Sequence, residues 1–169
     1  MKDFLILLLN ILIWLIIIGA ITVLHELGHA VPALIFTSGN VTIKLGYRER
    51  RLIRSFGIGR LRIEIYPYCP FVGAAYWNGP RINSAINRII MCFGGPFISI
   101  VCAVLSLIIW NYGNSEFMLV IGMINIWHAI MTLIPVTYPK FIFGNAGMKS
   151  DGRNILDILL KEVRQRESM

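Results

Sequence analysis

Long apolar runs dominate the chain and predict membrane-spanning helices. Residues 4–24 contain no charged side chain, and apolar runs of about 18 residues or more are typical of transmembrane helices. We expect this helix to continue to about Phe36, before Thr37-Ser38-Gly39-Asn40 breaks it. Two further spans are predicted at about 84–110 and 117–134, and Pro135 ends the second of these.

A different periodicity lies between the first two spans. Residues 61–65 (LRIEI) alternate apolar and charged side chains, and Val41 and Ile43 alternate similarly. A period of two predicts β-strands. We therefore expect a short membrane-associated β-hairpin or small sheet over about 41–73, with irregular chain returning to the membrane through Gly73 and Gly79-Pro80.

The last segment of the chain has a helical pattern. Over 152–167, Ile155, Leu159 and Val163 form one apolar stripe, and the spacing predicts the pairs Asp157 with Lys161 and Glu162 with Arg166. This pattern predicts an amphipathic helix lying on the membrane or on the rest of the protein. The predicted fold is an α-helical membrane protein: three core transmembrane helices, a small β-hairpin or sheet and a C-terminal amphipathic helix, in one domain over 1–169.

Composition and charge fit a protein of the lipid bilayer. The chain is 56% hydrophobic and 15% charged, which exceeds what a soluble core of this size requires. Residues 37–88 hold nine basic and two acidic side chains, residues 135–169 hold six and four, and the turn at 111–116 holds one acid. Basic loops stay in the cytoplasm, so we expect the 37–88 loop and the C-terminus to be cytoplasmic and the N-terminus to be outside. Anionic lipid, not nucleic acid, is the expected partner of the basic loop, and the compact size favours the cell membrane of a prokaryote.

A possible metal-binding motif follows directly after the first apolar run. It reads His25-Glu26-Leu27-Gly28-His29. On a helix, histidines four residues apart share a face and can bind one Zn²⁺, and Glu26 can act as general base on a water molecule at the metal. The alternative is a chance group of polar residues near the membrane interface, but ionisable side chains at a span are costly and usually functional.

The order of motifs resembles the site-2 protease family, the intramembrane zinc metalloproteases. The motif HExxH is followed by a β region, by Gly94-Gly95-Pro96 in the second span and by Asp151-Gly152 after the third. The resemblance implies a minimal three-span member with one Zn²⁺ per chain held by His25, His29 and Asp151. It also implies cleavage of a membrane-embedded protein or peptide substrate, in regulated intramembrane proteolysis or removal of signal-peptide remnants.

The chain departs from the family pattern where the substrate carbonyl would bind. Ser99 stands three residues after Pro96 and Thr132 begins the Thr-Leu-Ile-Pro end of the third span, two positions where the family often has asparagine. The side chain that steadies the substrate carbonyl is therefore open. Asn125 and Asn145 are the candidates.

The third ligand has alternatives within the sequence. Asp151 could instead cap the C-terminal helix, although Ser150 could cap it equally well and leave Asp151 free to bind metal. His128 in the third span is the rival ligand. It could also support the site indirectly or hydrogen-bond between helices.

The expected activity is zinc-dependent hydrolysis of a peptide bond in or near the membrane, with Glu26 as the catalytic residue. An edge strand of the 41–66 region could hold the unwound substrate by β-addition, as the family suggests. The alternative is a non-catalytic zinc-binding membrane protein, or a transport or interaction module. Only Asn125 and His128 interrupt the later spans, which is poor for a transport pathway.

Overall fold

The computed structural model describes residues 2–47, 50–67, 72–79, 84–139 and 146–168. Asn145 lies outside the described residues. In chain order the elements are α1 (Lys2–Phe36), β1 (Val41–Leu45), β2 (Arg54–Ile58), β3 (Leu61–Ile65), β4 (Gly73–Trp77), α2 (Ala85–Gly113), α3 (Glu116–Leu133) and α4 (Asp151–Glu167).

Three helices, α1, α2 and α3, are long and apolar enough to cross a membrane. The predicted combination of a mostly helical chain with a small sheet is therefore confirmed. The turn between the later two helices is shorter than the 111–116 segment suggested, because α2 continues to Gly113 and α3 begins at Glu116. Asn114 makes this possible by taking a left-handed conformation (φ 47°), which ends α2 and reverses the chain.

The first helix changes character halfway along its length. Its side chains are mostly exposed up to residue 20, and all of its buried side chains lie from Ile21 onward. The buried half crosses α2 where Gly28 faces Gly94. A Cβ on either glycine would overlap the backbone carbonyl of the other, so the two helices approach as closely as their backbones allow. Because Gly28 lies within the 25–29 motif, this contact sets where along α2 the two histidines lie.

The sheet has the strand order β2-β3-β1-β4. Strand β1 is parallel to β3 and antiparallel to β4, and β2 forms a hairpin with β3. The fully buried side chains of Val41 and Ile43 pack β1 against α1. Residues 73–77 correct the sequence-based prediction of irregular chain there, since they form β4. The strand is held by ladder pairing with β1, such as Ala75 opposite Ile43, and its own Gly and Ala residues have little strand preference.

The amphipathic C-terminal helix is confirmed as α4, but its charged side chains pair differently from the prediction. Asp157 was predicted to pair with Lys161, but it contacts Lys149 at 2.7 Å and Arg153 at 3.0 Å instead. Glu162 reaches Arg88 of α2 at 3.3 Å. The helix is thus attached to α2, and its first residue is brought back towards the middle of α1.

Candidate metal centre

Two imidazoles from one turn of α1 form the base of the site. His25 and His29 are four residues apart, so they lie on the same face of the helix, with ring centroids 5.0 Å apart and nearly perpendicular planes. Both side chains are buried. Space for the rings comes from Gly95 of α2, because a Cβ there would lie 2.6 Å from Nε2 of His25 and would also overlap the ring of His29.

Hydrogen bonds from α2 orient both rings. Nδ1 of His29 donates to the carbonyl oxygen of Met91 at 2.7 Å, and Nδ1 of His25 lies 2.9 Å from Oγ of Ser99. A carbonyl oxygen only accepts, so Nδ1 of His29 carries a proton, and in the neutral ring Nε2 is left with a lone pair. A second group that fixes the outward nitrogen of each histidine is characteristic of metal-binding imidazoles.

The third candidate ligand arrives at the beginning of α4. Oγ of Ser150 accepts the amide N–H of Arg153 at 3.1 Å and donates to the carbonyl oxygen of Ile134 at 2.6 Å. Ser150 is therefore the N-cap of α4. Because the cap position is filled, the carboxylate of Asp151 is free to point towards the histidines.

The three side chains converge on one point. Nε2 of His25 lies 3.3 Å from Nε2 of His29 and 3.3 Å from Oδ2 of Asp151, and Oδ1 of Asp151 lies 3.3 Å from Nε2 of His29. Burial alone would raise the pKa of Asp151, but hydrogen bonding to the two histidines lowers it to about 2. When the two imidazoles are neutral, their Nε2 lone pairs and the ionised carboxylate can bind a cation between them. His25, His29 and Asp151 are thus positioned to bind a metal ion.

Comparison with known protein families and with characterised proteins found no significant match. The functional conclusion therefore depends on the residues of the site.

Glu26 completes the group from the adjacent position on α1. Its side chain is 6% exposed and fits against the backbone of Gly73, the first residue of β4. A Cβ at position 73 would lie 2.7 Å from both Cγ and Oε1 of Glu26. Only glycine at that position leaves room for the carboxylate beside the candidate ligands.

All four side chains open into one cavity of about 540 Å³. It lies between α1, α3, β4 and the beginning of α4. Its apolar walls come from α1 and α3, and they include Ile18, Ile21, Ile124, Trp127 and Met131. Tyr138 adds a phenol, and burial together with the charges of Asp151 and Glu26 raises its pKa, so the hydroxyl stays protonated. An apolar cavity with a few convergent polar groups is the usual form of a binding site.

The other residues considered from the sequence are placed differently. Asn125 is buried and does not line the cavity. Its amide donates to the carbonyl oxygen of Ile121, one turn back. Asn145 lies outside the described residues. His128 lines the cavity and packs against His25, yet it is not part of the three-ligand group.

Some contributing residues were not recognised from the sequence. Ser99 was noted only as a departure from the family pattern, although it orients His25. A polar residue four positions after Gly95, on the same face of an apolar helix, is a signal that could have identified it. The role of Gly73 has no such signal, since it depends on the pairing of β4 with β1.

Proposed function

We propose that this protein is a zinc-dependent intramembrane endopeptidase of the site-2 protease type. The observation that carries the proposal is the convergence of His25, His29 and Asp151 beside the buried carboxylate of Glu26, within a cavity walled by two candidate membrane spans. The residues supply a metal-binding group, a general base and an apolar substrate cavity in one place.

Zinc is a metal that suits this set of ligands. Two imidazole nitrogens and one carboxylate oxygen are a usual catalytic set for Zn²⁺, which leaves one position open. A tetrahedral zinc with bonds of about 2.0–2.1 Å places its ligand atoms about 3.3–3.4 Å apart. The 3.3 Å separations between the ligand atoms of His25, His29 and Asp151 match this spacing. When bound, zinc would polarise the scissile carbonyl and increase the acidity of the attacking water.

Glu26 would transfer the protons of the reaction. Its carboxylate accepts a proton from the attacking water, whose oxygen bonds to the carbonyl carbon. The carbon–nitrogen bond then breaks, and Glu26 returns the proton to the leaving amine. The products are a carboxylate and an amine, and the enzyme is restored.

Strand β4 is the part of the sheet best placed to hold a substrate. Gly73, Ala74, Ala75 and Trp77 line the cavity, and among the described residues β4 is at the edge of the sheet, paired only with β1. A peptide bond within a helix is blocked by the hydrogen bonds of that helix, so the substrate must be unwound first. Addition of the unwound segment to β4 would satisfy its backbone and lay it across Glu26. The sequence-based prediction placed the substrate-binding edge strand in the 41–66 region, whereas this proposal places it at residues 73–77.

The position of the site indicates where in the membrane the substrate bond would be cut. His25 and His29 lie in the half of α1 that is closest to the sheet, and the sheet belongs to the basic 37–88 segment. Under the positive-inside rule this is the cytoplasmic side. The substrate bond would then lie in the cytoplasmic half of the membrane or at its surface.

The test uses purified protein in liposomes with zinc and a library of single-span peptides. New peptide termini are detected by mass spectrometry, and zinc per chain is measured in parallel. We expect cleavage by the wild type and cleavage at least about 100-fold slower by Glu26→Gln, with zinc retained. Glu64→Gln, a matched change in β3 away from the cavity, should cleave normally.

The same experiment separates the alternative. Glu26→Gln protein that cleaves at the wild-type rate would refute the catalytic role. Wild-type protein that binds zinc but cleaves no peptide would instead identify a non-catalytic zinc-binding membrane protein.

A further inference from the structure

His128 of α3 lies against the candidate metal site without belonging to it. Its ring centroid is 4.4 Å from that of His25, with the planes inclined by 37°. The ring also forms part of the cavity wall. Its nitrogens are not among those that converge within 4.8 Å of one another. The side chain therefore faces the space that a substrate would occupy beside the ligands.

The hydrogen bonding of this ring is incomplete. Nδ1 of His128 is buried and has no hydrogen-bond partner among the described residues. An unpaired polar atom in a buried position is unusual in a native protein and requires a reason. A neutral ring with its proton on Nε2 has an N–H there, and so does a protonated ring. Either form offers an N–H donor that the protein itself does not use.

Other polar side chains of α3 near the cavity are already engaged. The amide of Asn125 donates to Ile121, and the hydroxyl of Thr132 donates to the carbonyl oxygen of His128 at 3.1 Å. Thr132 stands where the resembled family often has asparagine. The ring of His128, one turn before Thr132, therefore remains available as a donor at the cavity.

We propose that His128 donates an N–H to the carbonyl oxygen of the scissile peptide bond and stabilises the negative charge that develops there. This inference rests on the proposed protease function. A donor fixed before the reaction is most effective in a water-poor cavity, because it needs no reorganisation as the charge appears. Packing against the oriented ring of His25 keeps His128 in place.

The test compares His128→Phe with His128→Gln. Phenylalanine keeps a flat ring against His25 but has no N–H, whereas the glutamine amide can reach the position of Nε2. With the fastest-cleaved peptide of the library, we expect His128→Phe to lower kcat about 100-fold while KM changes little. His128→Gln should recover part of the loss. Zinc should remain near one per chain in both variants.

Two zinc-binding inhibitors give a measurement that does not depend on cleavage. A phosphinic peptide carries a tetrahedral, negatively charged centre like that of the reacting carbonyl, whereas a hydroxamate of the same sequence binds metal through a planar group. We expect His128→Phe to bind the phosphinic peptide about 10-fold or more weakly and the hydroxamate as the wild type does. If the wild type cleaves no peptide, the proposed function fails, and this comparison still reports on the donor.

Three results would overturn the inference. The first is loss of zinc from His128→Phe, which would make His128 a ligand or a structural residue. The second is an equal effect on both inhibitors, or none on either. The third is a selective loss in Tyr138→Phe or Asn145→Ala with none in His128→Phe, which would assign the donor elsewhere.

Discussion

Replacing Gly73 by alanine should slow the proposed reaction about 100-fold without removing the metal. The new methyl carbon would lie 2.7 Å from Cγ and Oε1 of Glu26, whereas nonbonded carbon contacts are about 3.5–4.0 Å. One of the two must therefore move by about 1 Å. Strand β4 is held in register by β1, with Gly73 opposite Leu45, so we expect the Glu26 side chain to move.

A displacement of this size is enough to disable a general base. Misplacing a reacting group by about 1 Å can reduce a rate about 100-fold, which corresponds to about 2.7 kcal/mol in the activation free energy. We therefore expect kcat of Gly73→Ala to fall by about that factor in the liposome peptide assay. Zinc per chain should stay near that of the wild type, because the methyl group meets Glu26 and not the ligands.

Gly57→Ala is the matched control. It makes the same change in strand β2 of the same sheet, where the nearest atom to the added methyl would be the carbonyl oxygen of Leu61 at 3.8 Å, an ordinary contact. Both its rate and its zinc content should be unchanged. Wild-type cleavage by Gly73→Ala would refute the reasoning. So would parallel loss of zinc and activity, since that would indicate a general disruption of the site.

Three further substitutions separate the remaining parts of the site. Gly95→Ala should lose zinc and activity together, because its methyl group would lie 2.6 Å from Nε2 of His25; metal analysis of the purified variant checks this. Asp151→Ala should also lose zinc, whereas Asp157→Ala, on the exposed side of α4, should retain it. Ser99→Ala removes the partner of His25 and should weaken zinc affinity about 10- to 100-fold, measured by competition with a chelator. These assignments would be contradicted if Ser99→Ala bound zinc as tightly as the wild type, or if Asp151→Ala retained zinc.

The helices were predictable because their signals are local. Each apolar run is continuous along the chain, and the α1 motif needs only the four-residue spacing of His25 and His29 to bring two imidazoles together. Strand β4 was not predictable, since Gly73, Ala74 and Ala75 have little strand preference and are held by pairing with β1.

The third candidate ligand, Asp151, could not be predicted from a local pattern. Nothing local marks Asp151, which is 126 residues from His25 in the chain, and only the resemblance to a family selected it. The structure supplies the physical reason that sequence could not give, since Ser150 occupies the cap position and Asp151 is left to face the histidines. The contacts of Ser99 and Gly73 depend in the same way on how α1 packs against α2 and β4.

The separation of the ligands along the chain has a consequence for biosynthesis. A nascent chain whose first span has entered the membrane already carries both histidines and Glu26, but it has no carboxylate to complete the set. Asp151 follows only after two more spans have been synthesised and α4 has packed against α2. The proposed protease would therefore be inactive during membrane insertion, when unfolded segments of other membrane proteins are nearby. Under the proposed function, activity would appear only when α4 packs against α2, and a partner that separated α4 from α2 would remove the third ligand and the activity with it.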